Sequence, residues 1–317
     1  MKSSSIIIFL LMNTLSVIKS TNPLYSTIMT LSMPIIEQGG SSSQERVENT
    51  FLRWLQAGGV DLISVHTWTT EETIDELLGK VNGVVLMGYP EELNKESLYY
   101  KKAQYIIQKV VKIAEESEGK TLIPVLAIGN DASLMTTVLT GETDYITSIK
   151  NTRPNRLIFE DTDVAKKSLI FQELDPEDFV NLVSLDILAN KMSFGITKGD
   201  FKKNAKLNEL FDIIATSKNN EGEYVSVIQN KKYPIIGLTF HPEKIVFEQN
   251  LIDYVPDSFE AMKASRLIGN SFTIYARTQN ERTMTEEEKK QYDFIEPYEN
   301  YPTFWFGTYQ YLYNNTK

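Results

Sequence analysis

The segment His241-Pro242-Glu243 carries the residue types best suited to acid–base chemistry in this chain. It follows residues 235–240, a short apolar run that predicts a buried strand. Pro242 favours an extended backbone at His241 and cannot continue the strand, so we expect the histidine at a strand end, where α/β proteins expose reactive groups. Glu243 is close enough in sequence to orient the imidazole. Taken alone, such a pair is more often structural than catalytic.

A nucleophile for this pair is expected at a tight turn far upstream. Residues 122–128 form a continuous apolar run, which predicts a strand buried on both faces. Gly129 and Asn130 then begin a sharp turn before a helix. A strand, a strained elbow at a helix N-terminus and a later His-x-Glu are the layout of an acyl-transfer triad. The histidine would be the base and the glutamate its orienting partner. Backbone groups at Gly88 and Tyr89 are placed to supply an oxyanion donor.

The remaining apolar pattern alternates between strands and helices, which indicates a mostly parallel, doubly wound sheet flanked by helices. Strands are expected at residues 27–33, 60–65, 84–87 and 122–128, with a hairpin formed by 223–228 and 234–240. Helices are expected at about residues 47–57, 69–78, 97–118, 133–139, 206–214 and 258–277. The other segments are expected to be a loop at 39–43, a β-rich insert at 145–200, and an aromatic tail at 292–313 that wraps the surface or a partner.

Composition excludes several classes of function. The 317 residues are 42% hydrophobic and 23% charged, as in an ordinary soluble protein, and the net charge of −10 argues against a nucleic-acid surface. The absence of cysteine excludes disulfides, thiol nucleophiles and thiolate metal ligands. His66 and His241 are far apart in sequence, and we expect neither a metal site nor a cofactor. We expect His66 to be a surface residue at a strand end.

The first residues have the pattern of an export signal. Lys2 precedes an apolar run at residues 6–12 that is too short to span a bilayer, so residues 1–20 are expected to be a signal peptide, followed by one domain at 21–317. No later run is long enough to anchor the chain in a membrane. Asn314 begins a glycosylation sequon. We therefore expect a glycoprotein of the secretory pathway, either extracellular or in a vacuole or lysosome.

At these motifs the chain resembles the γ-glutamyl hydrolases, relatives of the class I glutamine amidotransferases. The most specific match is Tyr-Pro-Ile-Ile-Gly-Leu-Thr-Phe-His-Pro-Glu-Lys at residues 233–244. Residues 82–88 (Asn-Gly-Val-Val-Leu-Met-Gly) are similar to the family's oxyanion loop, and 123–129 (Ile-Pro-Val-Leu-Ala-Ile-Gly) to its nucleophile strand. The resemblance implies a single α/β domain with a flavodoxin-like, mostly parallel sheet and a β-rich insert. It also implies cleavage of γ-linked glutamate chains, such as those on folates.

Three positions depart from the family pattern. Gly129 stands where the family has its nucleophilic cysteine, Tyr89 replaces the second glycine of the oxyanion loop, and Met192 stands where the family has a cleft histidine. Glycine tolerates elbow torsions, so the fold can persist without the chemistry. Asn130 is no nucleophile, and Ser133 is expected to lie away from the elbow.

These departures predict a pseudoenzyme whose remnant site consists of His241, Glu243 and the position of Gly129. Gly88, Tyr89, Asn130 and Met192 are the expected substrate-binding residues. The chain would bind a γ-glutamyl or folyl-polyglutamate type of small molecule, or pair with a further copy or an active homologue. One alternative is hydrolysis through a surrogate nucleophile. The other is a decayed cleft in which the His241 motif serves packing.

Overall fold

The computed structural model describes residues 26–37, 40–87, 94–248, 254–280, 282–294, 303–305 and 308–314. The strands are β1 (Ser26–Leu31), β2 (Met33–Glu37), β3 (Gly40–Glu48), β4 (Val60–Val65), β5 (Gly83–Leu86), β6 (Val125–Ile128), β7 (Ile146–Asn151), β8 (Ile158–Phe159), β9 (Met192–Ile196), β10 (Phe211–Asn219), β11 (Gly222–Asn230), β12 (Ile235–Leu238), β13 (Asp293–Phe294), β14 (Thr303–Trp305) and β15 (Thr308–Asn314). The helices are α1 (Asn49–Gln56), α2 (Glu71–Leu78), α3 (Leu98–Glu116), α4 (Asn130–Thr140), α5 (Thr162–Lys166), α6 (Pro176–Ser184), α7 (Lys198–Lys203), α8 (Ala205–Leu210), α9 (Pro242–Phe247), α10 (Phe259–Gln279) and α11 (Glu286–Lys289).

The main sheet has nine strands in the order β13-β4-β1-β5-β6-β12-β11-β10-β8. Its five central strands, β4 to β12, are parallel to one another, whereas β13, β11, β10 and β8 add antiparallel edges. Counting only the parallel strands in chain order gives 2-1-3-4-5, which is the flavodoxin-like order. The mostly parallel α/β sheet expected from the sequence is confirmed.

Helices cover both faces of this sheet, which explains why its strands are continuously apolar. In β1, Ile28 packs into the hydrophobic cluster that includes Phe51 of α1 and Phe272 of α10. The next residue, Met29, packs into the opposite cluster with Ile106 of α3. Adjacent residues of one strand therefore point into two different cores, as the alternation of side chains in a strand requires.

The register of β6 and β12 brings the two candidate motifs together. Leu238 pairs with Ile128 in parallel, so both strands end at the same edge of the sheet. The backbone N–H of Gly129 donates to the carbonyl of Leu238 at 2.7 Å, immediately before the His241 motif. The predicted hairpin is also confirmed, because β11 and β12 are antiparallel neighbours.

Several sequence-based expectations about local structure are wrong. Residues 40–43, expected in a loop, lie in β3, which pairs with β2 and β15. The helix expected at 206–214 ends at Leu210, because residues 211–219 form β10 and pair with β11. The insert at 145–200 contains the helices α5 and α6 as well as strands. The tail partly joins the chain's own sheets, since β13 pairs with β4 and β15 with β3.

The expected signal peptide at 1–20 lies outside the described residues and stays a prediction, as does glycosylation of Asn314. In the part of the chain that the structure describes, we find no helix with the length and apolarity needed to cross a bilayer.

Candidate functional site

Gly129 forms a strained elbow between β6 and α4. Its φ of 66° and ψ of −128° lie in a region that side chains with a Cβ atom rarely occupy. It is the N-cap of α4, so the first amides of that helix lie directly beside it. The strand, elbow and helix predicted from the sequence are therefore present, although α4 begins at Asn130 rather than at Ser133.

His241 is held from both its backbone and its ring. Its N–H donates to the carbonyl of Ala189 at 2.8 Å, and Pro242 begins α9 directly after it. The imidazole Nδ1 lies 2.7 Å from Oε1 of Glu243, whose side chain is completely buried. The imidazole is 13% exposed. This is the arrangement in which a carboxylate fixes the orientation and tautomer of a histidine base.

The imidazole and the elbow face each other. A Cβ atom placed on Gly129 would lie 2.7 Å from both Cε1 and Nε2 of His241. Because Nδ1 is engaged by Glu243, the ring nitrogen that faces the elbow is the one a nucleophile would use. The structure thus brings together His241, Glu243 and Gly129, the three residues that the sequence predicts for one site.

A charged network lies behind this site. Lys244 is buried and donates to both oxygens of Glu248 at 2.9 and 3.0 Å, and it lies 3.9 Å from Glu48. Burial alone would lower the pKa of Lys244, but the carboxylates of Glu48 and Glu248 outweigh it and the pKa lies above its ordinary value. Burial would likewise raise the pKa of Glu48, but Lys244 and Arg46 outweigh it and the pKa is lowered.

Glu48 also interacts electrostatically with His241, which makes it a neighbour of the remnant site. Sequence analysis missed it. Glu48 precedes α1, and nothing in its local sequence distinguishes it from the chain's other acidic residues. Only the packing of α9 against α1 reveals its position.

Two of the predicted substrate-binding residues can be placed. Asn130 is the first residue of α4 and is half-buried beside the elbow. Met192, in contrast, is buried in a small cluster with Ile149 and Tyr224. The residue of that segment that adjoins the site is Asn190, which forms a bridge with Phe240 directly before His241. Gly88 and Tyr89 lie outside the described residues.

Two polar side chains in the first turn of α4 are poor surrogate nucleophiles. Ser133 is 2% exposed and lies one turn into the helix. Asp131 is fully buried, and its Oδ1 accepts a hydrogen bond from the hydroxyl of Tyr99 at 3.1 Å.

His66 lies in a second polar cluster at the carboxyl edge of the same sheet. It is 4% exposed, so the expected surface position is wrong. Its Nδ1 lies 2.8 Å from the hydroxyl of Ser32, and its ring stacks on Trp68 with centroids 4.7 Å apart. Glu45 accepts hydrogen bonds from the Ser32 hydroxyl and from both the hydroxyl and N–H of Thr67. These contacts join Glu45 of β3, and Ser32 between β1 and β2, to the end of β4.

Comparison with known proteins identifies the relatives of this chain. No protein-family model matches it. Gamma-glutamyl hydrolase 2 of Arabidopsis thaliana is 27% identical over 255 residues, which cover 77% of this chain and 71% of that protein. The gamma-glutamyl hydrolases of Mus musculus and Homo sapiens are 23% and 22% identical, over 72% and 76% of this chain and 70% and 74% of their own lengths.

The chain is a relative of the gamma-glutamyl hydrolases. This agrees with the resemblance seen in its motifs. Among solved structures, a Thermoplasma acidophilum protein assigned as a GMP synthase subunit aligns with a TM-score of 0.48 at 16% identity, covering 79% of this chain and 94% of that chain. A glutamine amidotransferase from Thermotoga maritima aligns with a TM-score of 0.39 at 11% identity, over 69% and 76% of the two chains. The flavodoxin-like order of the parallel strands, 2-1-3-4-5, defines the fold by itself.

Proposed function

We propose that this chain uses a γ-glutamyl hydrolase fold to bind γ-glutamyl compounds without hydrolysing them through a covalent intermediate. The observation that supports this most directly is Gly129 at the elbow. Covalent acyl transfer needs a side chain that attacks the carbonyl carbon while a base accepts its proton. His241 is oriented to accept a proton at Nε2, but the residue it faces has no side chain.

The surroundings of the elbow suit a γ-glutamyl group. Such a group presents an α-carboxylate and an α-amino group, and its γ-carbonyl is amide-linked. The first amides of α4 favour a negatively charged or carbonyl oxygen. The relatives are named for γ-glutamyl hydrolysis, and we assign the same ligand class to this chain on these residues.

Binding and turnover can be tested separately on the purified chain with a γ-glutamyl dipeptide. Only two histidines are present, so side-chain imidazole NMR signals of His241 and His66 are easily assigned by a His66→Gln variant. We expect the dipeptide to shift the signal of His241 and to leave His66, which lies in the buried Ser32–Glu45 cluster, unchanged. Release of glutamate should not exceed the blank. If neither signal moves, the binding proposal is wrong.

Turnover that is lost in His241→Ala would overturn the non-hydrolytic part of the proposal. It would support the alternative, hydrolysis that uses a surrogate nucleophile or a water activated by the imidazole.

A cysteine at the elbow tests whether the site is the remnant of a nucleophile site. The chain has no native thiol, so Gly129→Cys introduces a single reactive group. We expect its thiolate to be stabilised by His241 and by the N-terminus of α4, and to react with a thiol reagent faster than Asp144→Cys on an exposed turn before β7. Because a Cβ would lie 2.7 Å from the imidazole, the ring must also shift, and we expect only weak hydrolysis. Equal reactivity of the two thiols would mean that His241 does not serve the elbow.

A further inference from the structure

An open groove beside the insert is positively charged, although the chain as a whole is acidic. The groove has a volume of about 490 Å³ and lies between residues 150–158 and the turn that joins β10 to β11. Its charged lining residues are Lys150, Arg153, Arg156, Lys218, Asp186 and Glu221. Four cations and two anions give a local net charge of +2, whereas the whole chain has a net charge of −10. A concave cationic surface on an acidic protein concentrates anionic ligands.

Three of the four cations are available to a ligand. Lys150, Arg153 and Lys218 are exposed, and no acidic side chain within the described ranges forms an ion pair with them. Arg156 differs, because its guanidinium lies 3.5 Å from the carboxylate of Asp186. Lysine and arginine side chains donate hydrogen bonds and accept none, so the unpaired cations fit a ligand rich in acceptor oxygens. Such a ligand displaces no ion pair when it binds them.

The neutral lining of the groove is polar. Thr152 and Asn220 are exposed, and among the described residues neither side chain has a hydrogen-bond partner. The side-chain oxygen of Asn219 accepts two N–H groups of its own turn, at 2.9 and 3.0 Å, which leaves its amide nitrogen as a donor. Hydroxyl and amide groups of this kind suit the hydroxyls of a sugar. Of the described lining residues only Pro154 and Ile158 are apolar and none is aromatic, so a flat apolar ligand would find little contact area.

The two walls of the groove are joined by hydrogen bonds. The side-chain amide of Asn155 donates to the carbonyl of Lys218 at 2.6 Å, and the hydroxyl of Ser217 donates to the carbonyl of Arg156 at 2.8 Å. On its other side, Asn155 forms a backbone bridge with Leu188. The backbone positions of the cations are therefore set before a ligand arrives, which lowers the entropic cost of binding.

We propose that this groove binds sulfate or phosphate esters carried on a short saccharide. A phosphate or sulfate ester presents three acceptor oxygens, and hydrogen bonds from charged donors to such oxygens are among the strong ones. The cations of both walls would contact the ester groups, and the side chains of Thr152, Asn219 and Asn220 would contact sugar hydroxyls. The volume of the groove is that of a small-molecule site, which limits the saccharide to a short one.

Two other kinds of ligand fit the groove less well. A long polyanion such as RNA would extend beyond the groove and meet the acidic remainder of the surface. A neutral sugar would leave the three unpaired cations without acceptors. The groove shares no residue with the Gly129–His241 site, so the proposal does not depend on the function proposed for that site.

Calorimetry on the full chain tests the ligand class with matched probes. The sulfate probe is a heparin-derived tetrasaccharide, and its counterpart is the same tetrasaccharide after desulfation, which keeps the carboxylates and hydroxyls. The phosphate probe is fructose bisphosphate, and its counterpart is fructose. We expect at least one esterified probe to bind about tenfold or more tightly than its counterpart at low salt, and to lose that advantage as salt screens the groove.

The two pairs of probes also distinguish the source of the ester. A larger gain for the tetrasaccharide supports the proposal and assigns the site to sulfated saccharides, whereas a larger gain for the bisphosphate supports it and assigns the site to phosphorylated sugars. If neither esterified probe gains over its counterpart, or if the gain does not change with salt, the proposal is wrong. Tighter binding of an RNA oligonucleotide than of both esterified probes would also overturn it.

Charge reversal on each wall identifies the residues. Lys150→Glu with Arg153→Glu on one wall, and Lys218→Glu on the other, should each reduce the gain from the ester, and the double variant should remove it. These side chains are exposed, so the urea midpoint should stay unchanged. The matched control, Lys112→Glu with Lys120→Glu, makes the same change in net charge as the double variant at exposed positions on and after α3. An equal loss in the control would assign the effect to net charge and overturn the proposal.

The imidazole signal of His241 separates the groove from the N-terminus of α4, the other place where an anion could bind. Ala189 accepts the N–H of His241 and follows Leu188, which pairs with the groove, so a small indirect shift is compatible with binding in the groove. Such a shift should disappear in Lys150→Glu with Arg153→Glu. A His241 shift that persists in this variant, together with unchanged affinity for the esterified probe, would place the anion at the elbow and refute the groove site.

Discussion

The two histidines of this chain lie at the same edge of one sheet, and each lies near a glutamate, yet the two sites are built differently. His66 follows β4, and its neighbour Glu45 accepts three hydrogen bonds from Ser32 and Thr67. His241 follows β12, and its Nδ1 contacts only one carboxylate oxygen of Glu243, Oε1. Among the residues that the structure describes, the other oxygen of Glu243 is buried and has no hydrogen-bond partner.

This difference shows that a histidine near a glutamate does not by itself indicate a catalytic pair. What matters is which ring nitrogen of the histidine the local hydrogen bonds engage and which one they leave facing the site. In the His66 cluster, the same Nδ1 meets Ser32 at 2.8 Å and lies 3.6 Å from Glu45, and the ring is covered by Trp68. At His241, the carboxylate holds Nδ1 and leaves Nε2 facing the elbow. The first arrangement holds the segments around Ser32, Glu45 and His66 together. The second leaves a ring nitrogen of His241 directed at Gly129.

The largest effect is expected from removing Glu45. Glu45→Ala leaves the hydroxyl and the backbone N–H of Thr67 without their acceptor in a buried cluster, and each such group costs about 1–3 kcal/mol. The Ser32 hydroxyl loses Glu45 but keeps the carbonyl of Val65 at 3.2 Å as an acceptor. We expect the free energy of unfolding in urea to fall by about 3 kcal/mol or more. Glu243→Ala removes the acceptor of a single imidazole nitrogen and should cost about 1–2 kcal/mol. A larger loss for Glu243→Ala would reverse the assignment of the structural and the functional site.

A second, smaller effect separates backbone strain from the imidazole contact at the elbow. Gly129 and Gly141 both have positive φ, at 66° and 75°, but a Cβ at Gly141 would meet nothing within 4 Å. Gly141→Ala should therefore cost only about 1 kcal/mol, because it occupies the left-handed region without a contact. Gly129→Ala should cost about 2–3 kcal/mol, because its ψ of −128° is less favourable and the Cβ displaces His241.

Urea denaturation and imidazole NMR of the Gly129→Ala and Gly141→Ala variants together test this comparison. The His241 signal should shift in Gly129→Ala and stay unchanged in Gly141→Ala. Equal costs for the two substitutions, with an unmoved His241 signal, would mean that the imidazole does not face the elbow.

The contrast between the two sites also shows what the sequence can predict. The Gly129–His241 site could be anticipated because its parts follow two parallel strands, and the ends of such strands meet at one edge. The His66 cluster could not, because Glu45 lies in a strand between β2 and the distant β15, and no parallel strand end places it beside His66. Residues 40–43 are small and polar and favour a loop when considered alone. They become a strand through a hairpin with β2, in which Ser41 lies opposite Ile36, and β15 pairs only with residues 44–48.

A similar limit explains the wrong helix end after the insert. Ile213 continues the apolar spacing of α8, yet it pairs with Ile228 of β11, because the long hairpin satisfies its backbone groups. The resemblance predicts Met192 as a substrate-binding residue, and that role stays a prediction. The bridge between Asn190 and Phe240 instead brings Asn190 next to His241, whereas Met192 is buried with Tyr224.

The smallest expected effect concerns the charged network that only the His241 site possesses. The pKa of Glu48 lies below its ordinary value of 4.5 in the folded chain, because the charges of Lys244 and Arg46 outweigh burial. Since the folded-state pKa is lowered, the carboxylate contributes stability that is fully present above the pKa of the unfolded chain. That contribution is lost as the pH falls through the folded-state pKa. Glu48→Gln removes it, so the variant should be less stable at pH 7 by about 1 kcal/mol, and the difference should disappear in acid.

Urea unfolding as a function of pH measures this difference, and Lys244→Met provides the matched background. Lys244 lies 3.9 Å from Glu48 and is the largest charged contribution to its lowered pKa. In the Lys244→Met background, Glu48→Gln should therefore cost much less at pH 7 than it does in the native chain. The coupling between the two substitutions isolates their interaction from any general effect of removing a buried charge. If Glu48→Gln has the same effect at pH 7 and in acid, the carboxylate does not interact with Lys244 as the structure places it. The charged network would then give no reason for the difference between the two histidine sites.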